Sequence, residues 1–177
     1  MKTIFVLLTI ISSFSLSAGT GPVRQNNEIL SVNNTIKESS LSRLLSLYYD
    51  VKNALVNSDA KSTAEKAASL LNAINSIDVK SLNKTELDVF TPLQNKLSYD
   101  ARHISEVKDI SHQREHFASL SLNMFTLVKN AKISGQPVYK DYCPMKKAYW
   151  LSSAQSIKNP YYGNTMLTCG KVDETLQ

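Results

Sequence analysis

Two short sulfur-containing segments near the C-terminal end hold the residues best suited to chemistry. The first is Cys143-Pro144-Met145, the second runs from Met166 to Cys169, and together they contain both cysteines of the chain. Thiolates and thioethers are soft ligands that select soft ions such as Cu(I) over Mg²⁺ or Ca²⁺. The candidate ligands of one Cu(I) or Ag(I) ion are therefore Cys143, Met145, Met166 and Cys169.

The spacing within each segment supports a shared site. Pro144 stiffens the turn between Cys143 and Met145, so both sulfur atoms can face one ion. Met166 and Cys169 are three residues apart, which places them on the same side of a helical turn or a tight loop. Zinc fits this set less well, because structural zinc sites use Cys and His and methionine is a poor zinc ligand.

The same two cysteines are also suited to a disulfide. In an oxidising compartment, a Cys143–Cys169 bond would close a loop of about 27 residues and stabilise the fold by roughly 3.5 kcal/mol. The methionines would then be ordinary apolar packing. The two states can alternate, since a reduced pair can bind Cu(I) and an oxidised pair cannot.

Two histidines form a second candidate group. His112 and His116 lie at positions i and i+4 of a predicted helix, so their rings share a face and could hold a metal jointly or complete the sulfur site. His103 lies near the end of the preceding predicted helix. Histidines at this spacing are more often surface residues, and both alternatives stay open at this point.

Catalytic motifs give no support for an enzyme. The string from His112 to His116 resembles the zinc-protease motif with its acidic residue one position late, so Glu115 would point away from an ion shared by the two histidines. No phosphate loop or nucleophile elbow is present. We predict that the chain is not an enzyme, and that Arg114 pairs with a neighbouring carboxylate.

Residues 40–132 must position these groups, and their apolar residues recur at alternating steps of three and four. That is the helical period, and it predicts four amphipathic helices with short connections, an up-and-down four-helix bundle. We expect Ser58 or Asp59 to cap the second helix and Thr85 the third. The four apolar stripes are Leu41, Leu44, Tyr48, Val51 and Leu55; Ala60, Ala64, Ala67, Leu71 and Ile74; Phe90, Leu93, Leu97, Ala101 and Ile104; and Ile110, Phe117, Leu120, Met124, Leu127 and Ala131.

The composition changes after these helices. Residues 136–177 are rich in Gly, Pro and Tyr and contain the only tryptophan, which predicts a small turn-rich appendage with short strands. Residues 138–142 alternate as a strand does. Trp150 and Leu151 are expected to fix the appendage to the bundle, with the indole N–H needing a partner. The predicted fold class is mainly α.

The start of the chain predicts export. Residues 1–18 have the charge, apolar run and small residues of a cleaved signal peptide. Residues 19–37 are predicted to be a flexible lead-in and residues 38–177 a single domain. No later segment approaches the roughly 18 apolar residues of a membrane span. The net charge of +5 is scattered, so we expect no nucleic-acid partner and a periplasmic or secreted protein.

Several blocks of the sequence resemble domain-of-unknown-function family 3347. They are residues 110–121, 142–145, 150–152 and 159–163, Met166 and residues 169–170. Members of that family are exported bacterial proteins, and similar domains are appended to the periplasmic adaptor subunits of copper and silver efflux systems. The resemblance implies a metal-handling role and a periplasmic metal-efflux or metal-delivery protein as partner. This chain lacks the adaptor portion, so membership of an efflux pump does not follow.

The leading hypothesis is an exported protein that binds Cu(I) or Ag(I) for storage, delivery or resistance. The alternative is a non-catalytic protein-interaction module whose docking tail is stapled by a Cys143–Cys169 disulfide. In that alternative Trp150, Tyr161 and Tyr162 form an aromatic patch for a partner protein.

Overall fold

The computed structural model describes residues 39–177. The predicted signal peptide and lead-in lie outside the described residues. Four helices come first, and a three-stranded sheet follows. The helices are α1 (Ser40–Val56), α2 (Ala60–Asn75), α3 (Lys84–Glu106) and α4 (Ile110–Ala131), and the strands are β1 (Val138–Cys143), β2 (Ala148–Ser152) and β3 (Lys171–Leu176). The predicted fold class, mainly α with short strands in the appendage, is confirmed.

Each helix begins at a side chain that accepts a hydrogen bond from its first turn. Asp59 caps α2, as predicted, and Asp109 caps α4 by accepting from the N–H of His112. The cap predicted at Thr85 is wrong. Asn83 caps α3 instead, and it forms a reciprocal capping box with Glu86, because Asn is as good an N-cap residue as Thr and is followed three positions later by Glu.

The bundle core contains most residues of the predicted stripes. Every predicted residue of the first and third stripes is buried, and in the fourth stripe only the end residues Ile110 and Ala131 are partly buried. On α2, Ala67 and Ile74 face the core as predicted, but Thr63 and Leu70 replace Ala64 and Leu71. Thr63 tolerates full burial because its hydroxyl donates to the carbonyl of Asp59 at 2.7 Å, which satisfies the polar group within its own helix.

Tyr48 joins the bundle to the appendage. Its ring stacks on Phe117 of α4 with centroids 5.2 Å apart, and its hydroxyl is 2.8 Å from Ser121 Oγ. The same hydroxyl accepts the backbone N–H of Leu151 on β2 at 3.0 Å. A buried tyrosine needs such partners for its hydroxyl, and here they fix α1, α4 and β2 to one another.

The sheet has the antiparallel order β2-β1-β3, with a bulge between Lys140 and Asp141. Trp150 and Leu151 are almost completely buried, so the prediction that they fix the appendage to the bundle is confirmed. The prediction that the indole N–H has a hydrogen-bond partner is wrong, because Trp150 Nε1 has none in the described part of the chain. None of the helices within residues 39–177 has the length and apolar character to cross a membrane.

Replacing Gly163 with alanine is expected to destabilise the fold by about 2 kcal/mol. Gly163 has a φ of +54°, and a Cβ there would lie 2.9 Å from the carbonyl oxygen of Val56 and would also meet Ser58 Oγ. Urea unfolding measures the loss. Gly135→Ala is the matched control, because nothing lies within 4 Å of its Cβ position, and equal losses for the two variants would contradict the prediction.

Candidate functional site

The sheet brings the two cysteines together. Cys143 is the last residue of β1, and Cys169 lies two residues before β3, which pairs with β1. Their Sγ atoms are 4.0 Å apart, and both thiols are free. Cys143 is buried and Cys169 is partly exposed. Solvent therefore reaches the thiol pair from the Cys169 side.

Backbone N–H groups of the β1–β2 loop lie near both sulfur atoms. Lys146 donates its N–H to Cys143 Sγ at 3.4 Å, and the N–H of Met145 acts on Cys169 to lower the pKa of its thiol. The loop is closed by a 2.8 Å hydrogen bond from the N–H of Lys147 to the carbonyl of Cys143. Hydrogen bonds to sulfur favour the charged thiolate, which is the form that binds a metal ion.

Without an ion, the surroundings of Cys169 favour its neutral form. Burial raises the pKa of its thiol, the adjacent Cys143 raises it further, and the N–H of Met145 opposes both effects. An ion bound by this sulfur must therefore displace a proton.

The separation of the two sulfur atoms fits a shared ion. At a metal–sulfur bond of about 2.3 Å, two thiolates on one ion lie roughly 3.8 Å apart at a tetrahedral angle and roughly 4.6 Å apart when the ion is linear between them. The observed 4.0 Å lies within that range. A disulfide requires the sulfur atoms to approach to about 2.05 Å, so oxidation needs the two side chains to move together.

The two methionines of the predicted site flank the thiol pair and lie outside the buried core. Met145 is in the β1–β2 loop with 63% of its surface exposed, and Met166 is partly buried. The N–H of Cys169 donates to the carbonyl of Met166 at 3.1 Å, which is the tight turn that their spacing predicts. An exposed methionine does not act as core packing, in contrast to the fully buried Met124.

The turn at Asn159 positions Cys169. The side-chain amide of Asn159 donates to the carbonyl of Cys169 at 2.6 Å, and its Oδ1 accepts the N–H of Tyr161 at 2.8 Å. Asn159 is completely buried. The next residue after Cys169 has to be small, because a Cβ on Gly170 would lie 2.7 Å from the ring of Trp150. In the sequence, residues 159–163 stood out as a block of the family resemblance, and the role of Asn159 at Cys169 was missed.

Arg114 attaches that turn to the bundle. Its Nε donates to the carbonyl of Pro160 at 2.8 Å, and its Nη2 donates to the carbonyl of Leu55 at 3.2 Å and to Ser58 Oγ at 2.9 Å. Burial lowers the pKa of the guanidinium. The predicted carboxylate pairing is wrong, because the returning tail and the end of α1 present carbonyl groups to this side chain.

All three histidines lie together between α3 and α4. His112 Nε2 and His116 Nε2 are 3.1 Å apart, and His116 Nδ1 is 3.3 Å from Asp100 Oδ1. The ring of His103 stacks on that of His116 with centroids 4.6 Å apart. Sequence reasoning missed Asp100, whose position at i−3 from His103 was the available signal.

The histidines and the cysteines form separate groups. Among the described residues, no hydrogen bond or ring contact joins His112 or His116 to either cysteine. The reason is the orientation of α4, which presents Arg114 to the tail and His116 to Asp100 of α3. Nor does any set of three or more His, Cys, Asp or Glu side chains within residues 39–177 form an arrangement that could hold a metal ion.

A buried carboxylate lies close to the thiol pair in sequence. Asp141 of β1 is completely buried, and neither of its oxygens has a hydrogen-bond partner among the described residues. Burial raises its pKa to about 7, and the nearby buried Lys52 partly opposes this rise. Tyr49 and Asp141 interact electrostatically, and the Tyr49 hydroxyl also lacks a hydrogen-bond partner within residues 39–177. Nothing in the sequence pattern predicted this group.

The predicted aromatic docking patch is wrong for two of its three residues. Trp150 and Tyr161 are buried, with ring centroids 6.1 Å apart, and Tyr161 also contacts Phe117. Only Tyr162 is partly exposed. These rings form the contact between the appendage and the bundle, because large aromatic side chains give the greatest apolar burial there.

One comparison with known proteins gives a match. A family model described as a protein of unknown function, DUF3347, matches residues 44–136, more than half of the chain. The match includes the three histidines and ends before Cys143. No curated protein and no solved structure matches the chain.

Proposed function

We propose that this chain, which belongs to the DUF3347 family, is an exported protein that binds Cu(I) or Ag(I) for storage, delivery or resistance. The observation that carries the proposal is the pair of free thiols, Cys143 and Cys169, with sulfur atoms 4.0 Å apart. The spacing suits one ion shared by two thiolates, and backbone N–H groups of the β1–β2 loop lie near both sulfur atoms.

The flanking methionines support a soft ion. Thioether sulfur selects Cu(I) or Ag(I) and is a weak ligand for harder ions. The exposed side chain of Met145 is unbranched and flexible, so it can close over the partly exposed Cys169 once an ion is bound. Met166 is joined to Cys169 by a backbone hydrogen bond and is the second thioether candidate.

The proposed setting follows from the predicted signal peptide. An exported protein meets metal ions outside the cytoplasm, and a periplasmic metal-efflux or metal-delivery protein is the proposed partner. Partly exposed thiols suit transfer, because a partner's thiolate or thioether can approach the ion from the Cys169 side. The proposal includes no catalytic step.

The test is an anaerobic titration of the reduced chain with Cu(I) against a chromophoric competitor. We expect one ion per chain, with affinity that falls as the pH is lowered, because protons then compete for the thiolates. Cys143→Ser or Cys169→Ser should weaken binding by more than about 100-fold, since each removes a direct ligand and loss of an outer-shell group alone costs 10–100-fold.

The methionine variants refine the test. Met145→Leu and Met166→Leu should each weaken Cu(I) binding, whereas Met124→Leu is the matched control because Met124 lies in the helical core. Absence of Cu(I) binding, or Cu(I) binding that is unchanged by both cysteine substitutions, would contradict the metal proposal. A chain that is isolated with a Cys143–Cys169 disulfide and binds no Cu(I) after reduction would favour the structural staple.

A further inference from the structure

We propose that His112 and His116 form a second metal site, separate from the thiol pair, for a divalent ion of borderline softness, with Cu(II) preferred. Imidazole nitrogen suits Cu, Ni and Zn, and the affinity of such sites rises to a maximum at Cu(II). The site rests on residues that the proposed Cu(I) site does not use, so either proposal can fail without the other.

The geometry of the two imidazoles carries this inference. At a metal–nitrogen bond of about 2.05 Å, two nitrogens on one ion lie roughly 2.9 Å apart at a right angle and roughly 3.35 Å apart at a tetrahedral angle. His112 Nε2 and His116 Nε2 are 3.1 Å apart, between those values. The two rings are nearly parallel, with centroids 5.0 Å apart. An ion can therefore bind both nitrogens with little movement of either side chain.

Asp100 prepares His116 for this role. Its carboxylate is almost completely buried and lies 3.3 Å from His116 Nδ1. An ionised carboxylate only accepts hydrogen bonds, so Nδ1 carries the proton and Nε2 keeps its lone pair toward His112. Metal-bound histidines typically donate their second ring N–H to a carboxylate in this way. Asp100 is thus a positioning residue that fixes the tautomer and the orientation of the ring.

Solvent reaches the histidine pair, and stacked rings restrict the movement of His116. His112 is exposed, and the side chain of His116 is 17% exposed, so an ion and the water molecules that complete its coordination can enter from solvent. His103 stacks on His116 and is itself packed against Tyr99, with ring centroids 4.3 Å apart. This stack restricts rotation of His116 away from His112.

The competing interpretation is an ordinary hydrogen bond. In that case His112 Nε2–H donates to His116 Nε2, and the pair serves only the contact between α3 and α4. When an ion binds, the proton of His112 moves from Nε2 to Nδ1 by exchange with solvent, and the ion takes its place between the two Nε2 atoms. Binding of an ion, and its dependence on each of the two rings, separates these interpretations.

The experiment uses the full chain with Cys143→Ser and Cys169→Ser, which removes both thiols. Titration with CuSO₄ is followed by calorimetry and by electron paramagnetic resonance. We expect one Cu(II) per chain with nitrogen hyperfine structure from two imidazoles. His112→Gln and His116→Gln should each remove that signal and weaken binding by more than about 100-fold, because each removes a direct ligand.

Two further variants complete the design. Asp100→Asn should weaken Cu(II) binding by about 10- to 100-fold, because its amide can donate to Nδ1 and reverse the tautomer. Arg102→Gln, on the exposed surface of α3, is the control and should retain one Cu(II) with two imidazole nitrogens. Absence of Cu(II) binding at micromolar concentration, or a spectrum and affinity unchanged in both His112→Gln and His116→Gln, would overturn the proposal.

Discussion

Replacing Arg114 with methionine is expected to lower the free energy of unfolding by about 3 kcal/mol. The guanidinium donates three hydrogen bonds that join α4 to the end of α1 and to the turn at Pro160. Hydrogen bonds from charged groups contribute about 1.5–3 kcal/mol each, less where solvent can replace them. Methionine keeps much of the apolar length and removes every donor, so urea unfolding measures the loss of these bonds.

The same substitution has a local readout at the thiol pair. The turn that Arg114 holds contains Asn159, whose amide bonds the carbonyl of Cys169. Release of the turn should increase alkylation of the buried Cys143, as measured by mass spectrometry under native conditions.

Two variants control the Arg114 experiment. Arg114→Lys should recover only part of the stability, because an ammonium group cannot reproduce the planar fork of donors. Arg102→Met on the exposed surface of α3 should change stability by less than about 0.5 kcal/mol. A loss at Arg114 no larger than that at Arg102 would show that the three hydrogen bonds do not fix the tail.

Replacing Asp141 with asparagine is expected to remove a pH dependence of stability between about pH 4 and pH 7. The pKa of Asp141 is about 7 in the folded chain, against 3.8 for the unperturbed group, because burial disfavours the charged carboxylate. The folded state therefore binds a proton that the unfolded state has released in this range. The contribution of Asp141 to stability falls as the pH rises through this window and is fully lost above about pH 7.

The size of this effect follows from the pKa difference. At about 1.4 kcal/mol per unit, the loss is up to about 4 kcal/mol, and the pKa of about 7 already includes the opposing effect of the buried Lys52. Urea unfolding of both proteins from pH 4.5 to pH 8 should show that Asp141→Asn becomes more stable relative to the parent chain as the pH rises.

An exposed carboxylate provides the matched control. Asp88 forms a surface ion pair with Lys84, whose ammonium is 2.6 Å away, and such pairs contribute little. Asp88→Asn should therefore show a small and nearly constant difference over the same range. If Asp141→Asn instead becomes less stable relative to the parent chain as the pH rises, Asp141 is ionised and favourably paired with Lys52, and the interpretation of its burial is wrong.

The helical part of the fold could be read from the sequence because its signals are local. A stripe such as that of α1 repeats every three or four residues, and burial of one face follows from that repeat. The one stripe that shifted, on α2, is rich in alanine. Small side chains define a face weakly, so packing against the neighbouring helices decided that Thr63 and Leu70 point inward.

Part of the candidate site could also be predicted from the sequence, because its signals are local as well. Spacing predicted that His112 and His116 share a face and that Met166 and Cys169 lie in one turn, since both are relations over three or four residues. It could not predict Asp100 as the partner of His116 or the backbone N–H groups at the two sulfur atoms. Those contacts join separate elements, and their geometry depends on how α3 meets α4 and on how the β1–β2 loop closes.

The sequence by itself determined the four amphipathic helices, the mainly α class, the two sulfur segments and the common face of the histidine pair. Each of these features follows from residue types and from spacings of a few residues. Only the tertiary structure decided that Cys143 and Cys169 meet at 4.0 Å, that the histidines stand apart from them, and that Arg114 binds carbonyl groups. These outcomes depend on strand pairing and on the return of the tail across α4. Such long-range contacts follow from the packing of the whole chain and are not encoded at any single spacing.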